Sequence, residues 1–123
     1  MGIRFLKIAV VYLFIGASLG LFMGITQKFV LAPVHAHLLL LGWASLALAG
    51  LVYHFYPAAG QTRLAHVHFW LHNVAMPVFM VSLGMLLTGS EAAGPIVGVS
   101  ASVVLIGLAT FAANVLVNVK PQP

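Results

Sequence analysis

The stretch Ala32–Trp43, APVHAHLLLLGW, places two histidines, His35 and His37, at the head of a long apolar run. No charged residue stands between Lys28 and Arg63. A helix of roughly 20 apolar residues crosses the hydrocarbon core of a bilayer, and this segment is long enough to do so. Imidazoles in such a place need partners, because an unbonded polar group in an apolar medium is costly.

The rest of the chain agrees with a membrane setting. Of 123 residues, 63% are hydrophobic and 5% are charged, against about 25% charged in a soluble domain. Too few charges exist to coat a surface in water. Four apolar segments are expected to span, near Phe5–Thr26, Val34–Tyr56, His66–Thr88 and Pro95–Val119, forming one all-α transmembrane domain over residues 1–123. Unsatisfied backbone groups in lipid leave the helix as the form such segments take. Pro33 and Pro95 stand where a missing N–H costs little. Pro57, Gly60 and Gln61 mark one tight connection, and Thr88–Glu91 another. The first segment has the basic start of a signal peptide. Ala17-Ser18-Leu19 makes a poor cleavage site, so the segment reads as a span.

Charge sets the expected orientation. Arg4, Lys7, Arg63 and Lys120 fall on one side of a four-span chain, and Lys28 and Glu91 on the other. The positive-inside rule then places both termini in the cytoplasm, and a bacterial inner membrane fits. Tyr53, Tyr56 and Trp70 suit an aromatic belt at that face. Five scattered cations make no stripe for a phosphate backbone, so nucleic acid is not an expected partner.

The composition also removes chemistry. There is no cysteine, no aspartate and a single glutamate. Disulfides, thiolate sites, a Ser-His-Asp triad and carboxylate acid–base pairs are excluded. A zinc hydrolase would need three ligands and an acid/base group, and Glu91 lies on the far side from His68 and His72. Histidine and methionine remain as ligands.

On a helix His35 and His37 point about 200° apart, so one compact ion does not take both, while two pockets or two partner helices can. His68 and His72, four apart, share a face. His54, His66 and His68 read as interfacial. His72 lies about 9 Å into the third span and is a weaker candidate ligand. Ionisable groups in spans usually face a cavity, a partner or a cofactor. Haem suits an apolar slot with one or two axial His or Met ligands, with Met23 a weaker second candidate. Gly16, Gly20, Gly42 and Gly50 let helices close on such a slot. A second reading is copper handling by His35, His37, Met23, Met76, Met80 and Met85, since imidazole and thioether suit copper. A third is a non-catalytic assembly partner of an oxidase.

PVHAHLLLLGWASLALAGLVYHFYP followed by LAHVHFWLHNVAMPVFMVSLGM resembles the tenth and eleventh helices of the haem–copper oxidase catalytic subunit. The shared elements are His35-Ala36-His37, Gly50 through Tyr53 to Pro57, and His68-Phe69-Trp70-Leu71, within residues 32–85. The resemblance implies that His35 and His37 ligate haem irons and that His68 is no metal ligand. It gives His72 no role. The family subunit has about twelve helices in three arcs about a pseudo-threefold axis, and this chain has the length of one arc. A homotrimer with one haem shared between His37 of one copy and His35 of the next follows as an expectation. Without further carboxylates the chain is no proton pump. The expected function is b-type haem binding for electron transfer or for small gases such as O2 or NO. An electron carrier also needs a redox partner, and a quinol is a candidate. Enzymatic turnover is left open.

Overall fold

The computed structural model describes residues 1–123 and is helical throughout, without strands. Four helices are long and apolar enough to cross a membrane: Gly2–Thr26, Ala32–Phe55, Arg63–Leu87 and Glu91–Asn118. They are called spans one to four below. Each begins a few residues before the apolar run expected from sequence, because the first turn tolerates polar and proline residues. The Thr62 side chain accepts from the Ala65 N–H at 3.2 Å and caps span three. Pro33 and Pro95 occupy first turns, where no helical N–H is lost.

Span one lies along span two, and span three along span four. Span two also meets span three, joining the pairs into a bundle. The connection after span two is a single helical turn, Pro57–Gly60, which is fixed beneath span four by Asn114 Nδ2 donating to the Ala59 carbonyl at 3.0 Å. The alternation of spans collects Arg4, Lys7, Arg63 and Lys120 at one end, here called the basic end. One buried cluster, with Phe5, Ala9, Leu46, Ala49 and Tyr53, lies toward the basic end. A second, with Val34, Leu38, Met76, Phe79, Met80 and Val104, fills the other half.

Within their most apolar windows, spans one and four bury 17% of residues and spans two and three 39%. Phe14, Leu21, Ile25, Val99 and Leu116 stand exposed on the outer pair, as a lipid-facing surface requires. Hydroxyls are satisfied within their own helix: Ser18 donates to the Phe14 carbonyl at 2.7 Å and Ser102 to that of Gly98 at 2.7 Å.

Two irregularities shape the interior. Residues Leu38–Ala44 of span two form π-helix, with the Ser45 N–H bonded to the Leu40 carbonyl five residues back. A return from π to α spacing passes over one carbonyl, and the Leu41 carbonyl, next after Leu40, takes a side-chain donor, His72 Nε2, instead. Pro77, inside span three, offers no N–H to the Asn73 carbonyl.

Candidate functional site

The six histidines separate into three kinds of place. His54 and His66 are exposed at the basic end. His66 Nδ1 donates to the Thr62 carbonyl at 3.0 Å. Neither is enclosed by the bundle.

His68 is not interfacial. It is 1% exposed, and His72 is 0% exposed. They form a directed hydrogen-bonded file through the bundle. His72 Nε2 lies 2.9 Å from the Leu41 carbonyl, which can only accept, so Nε2 carries the proton. His72 Nδ1 is then the acceptor for His68 Nε2–H at 3.2 Å. His68 Nδ1 in turn accepts from the Tyr53 hydroxyl at 3.1 Å. Tyr53 is 3% exposed, a core residue rather than a belt residue. Asn114 lies against its hydroxyl and accepts from Asn118 Nδ2 at 2.8 Å. Neutral groups thus satisfy one another from Tyr53 on span two, through His68 and His72 on span three, back to the middle of span two. The carbonyl at the end of the file is the one released by the π-helical turn. Phe5, Phe69 and Phe111 wall the file in, with Phe5 and Phe111 centroids 4.9 and 5.0 Å from that of His68. Both ring nitrogens of His72 are committed to this file, which leaves it no lone pair for a metal.

His35 and His37 are different. Both are half-buried at the end opposite the basic one. They point apart, as their spacing predicts: His35 toward span one, and His37 toward span three, where its ring meets Phe79 edge-on at 5.2 Å. His35 Nδ1 lies 2.7 Å from the Gly16 carbonyl, and His37 Nδ1 2.6 Å from the Pro33 carbonyl. A carbonyl only accepts, so each Nδ1 carries the proton and each Nε2 presents its lone pair. Neither Nε2 has a partner within the chain. Gly20 makes the His35 position available, since a Cβ there would stand 2.7 Å from His35 Cε1. Met23, 5% exposed, follows on the same face of span one, about 4.5 Å further along the axis.

No three His, Cys, Asp or Glu side chains converge on a common point. Met76 and Met80 pack among Val34, Leu38 and Phe79 in the second cluster, while Met85 is exposed. One further feature had no signal in the sequence reading. Asn73 Nδ2 donates to the Phe69 carbonyl at 2.8 Å, and Asn73 Oδ1 is buried without a partner. An unpaired buried polar group costs about 1–3 kcal/mol.

No protein-family model, curated protein or solved structure matches this chain.

Proposed function

We propose that this chain is a b-type haem protein of the membrane in which His35 and His37 are the axial ligands. One observation carries the reading: each imidazole is held by Nδ1–H on a main-chain carbonyl and offers a free Nε2. An outer hydrogen bond of that kind fixes tautomer and ring direction in metal-bound histidines. The motif resemblance over residues 32–85 adds support. When bound, haem would supply a one-electron redox centre or a gas-binding iron.

The fit has a further requirement. None of the four cavities of the protomer is lined by His35 or His37. A macrocycle on either Nε2 would therefore need a wall from a second molecule. The opposed directions of the two rings meet that need in a closed cyclic assembly. We place His37 of one copy and His35 of the next on the two faces of one haem, in a homotrimer, with the basic end in the cytoplasm. Closed six-coordination favours electron transfer, and one open position favours a gas ligand.

The test is a dithionite-reduced minus oxidised spectrum of the detergent-purified protein, with and without carbon monoxide, for the native chain, His35→Ala and His37→Ala. A reduced haem band lost in either variant supports the assignment. Native protein that stays colourless after haem supplementation removes it.

A further inference from the structure

The basic end holds Arg4, Lys7, Arg63 and Lys120 and no carboxylate side chain to pair with them, because Glu91 opens span four at the other end. Two of these cations line one groove. Span one packs along span two rather than span three, which leaves the groove between one and three open. At its mouth, Arg4 of span one, Gln61 of the connection and His66 of span three line a cavity of about 370 Å³. Deeper in the membrane, the same two spans border an apolar cleft of about 560 Å³, with Ile8, Val11, Ile15 and Val81 in its wall. Lys7 also lines that cleft. It follows Arg4 by three residues, one turn along the same face of span one, so mouth and cleft are two parts of one groove. The Lys7 stem can lie on the apolar wall while its ammonium reaches up to the mouth. His66 Nδ1 is held on the Thr62 carbonyl, which leaves Nε2 free to accept.

The occupant that matches this groove has an anion at one end and hydrocarbon below it. A free phosphate satisfies the mouth and leaves the cleft unfilled. A zwitterionic lipid fills the cleft but sets its own cation beside Arg4. We propose that the groove between spans one and three binds one anionic phospholipid, with its phosphodiester on Arg4 and Lys7, a head-group hydroxyl on His66 Nε2 or Gln61, and one acyl chain in the cleft against Val11 and Ile15. The guanidinium fork suits phosphate oxygens, and basic pockets between spans select acidic head groups. Arg63 and Lys120 line neither part of the groove, so they act on lipid only through the general field of that surface. The site lies at the opposite end from His35 and His37 and does not rest on the haem reading.

The test counts lipid retained by the purified protein in native mass spectra, after equilibration in micelles holding equal amounts of dioleoyl phosphatidylglycerol and dioleoyl phosphatidylcholine. Two double variants remove the same charge from the same end: Arg4→Gln/Lys7→Gln within the groove, and Arg63→Gln/Lys120→Gln outside it. The native chain is expected to retain phosphatidylglycerol with a preference of roughly tenfold or more, as two cations at one acidic head group imply. The groove variant is expected to lose most of that preference, and the outer variant to keep it within about twofold. Val11→Trp, which fills the cleft and changes no charge, is expected to lower retention severalfold at native helicity. Soluble glycerophosphoglycerol is expected not to compete. Equal retention of the two lipids, equal loss in the two double variants, or full retention in Val11→Trp overturns the proposal. Full competition by the soluble head group assigns the mouth to a free phosphate ester, and overturns it too. So does a high-yield disulfide between copies at Val11→Cys in saturating phosphatidylglycerol, which would assign the cleft to a neighbouring chain.

Discussion

At the scale of single residues, the six histidines are distinguished by what their ring nitrogens already hold. His68 and His72 spend every nitrogen on Tyr53, on each other and on the Leu41 carbonyl. Their removal should therefore register as stability. His68→Phe strands the Tyr53 hydroxyl and His72 Nδ1, at about 1–3 kcal/mol each. Thermal unfolding in detergent should show Tyr53→Phe/His68→Phe costing less than the two single changes added together, because the double variant leaves only His72 Nδ1 unpaired, where the single changes between them leave three groups unpaired. Strict additivity would mean that the file is not coupled. His35 and His37 keep a free Nε2, so their removal should register as loss of cofactor with little change in unfolding. Gly20→Ala tests the connection between packing and ligation. The added methyl would lie 2.7 Å from His35 Cε1, so the ring must turn off the Gly16 carbonyl. The expected result is a shifted or lost reduced haem band with the helical circular dichroism unchanged. A native spectrum in that variant would show that the His35 direction is not what holds the iron.

At the scale of elements, the spans were legible and their lateral faces were less so. Apolar runs and turn residues located all four helices, because length and hydropathy decide insertion whatever the helices pack against. The opposed directions of His35 and His37 were also legible, since helix periodicity alone fixes them. The burial of His68 was not. Distance from the end of a span reports depth in the membrane, and His68 is shallow. What encloses it is Phe5 from span one and Phe111 from span four, and no local pattern announces those contacts. The spacing of His68 and His72 on one face was the available signal, and Tyr53 was its missing third member. The π-helical turn was equally hidden, because its use is to release the Leu41 carbonyl to a residue 31 positions away. Deleting Leu40 would return this segment toward α spacing and turn the His35–His37 end by about 100° relative to Tyr53. The expected outcome is a folded helical chain without haem. Retention of a native haem spectrum after that deletion would show that the turn does not set the ligand directions.

At the scale of the whole molecule, one protomer leaves both candidate ligands without a cavity, and most of the outer surface of spans one and four is apolar and exposed. Sharing of haem between copies has a consequence that no single-chain site shares. His35→Ala and His37→Ala chains, each unable to bind alone, should restore binding when co-expressed. Random mixing in a cyclic assembly leaves roughly a quarter of interfaces with both ligands intact. Haem quantified per chain in the mixed preparation should approach that fraction, and native mass should show three chains. Zero recovery with both variants well folded would place the two histidines on separate sites or in one chain.

The most direct measurement is the reduced minus oxidised visible spectrum of the native chain beside His35→Ala and His37→Ala, purified in detergent after haem supplementation. The account predicts a reduced b-type haem band in the native protein, lost or displaced in both variants, and unaffected in a His66→Ala control. A native spectrum unchanged by either substitution, or a native chain that takes up no haem, would contradict it.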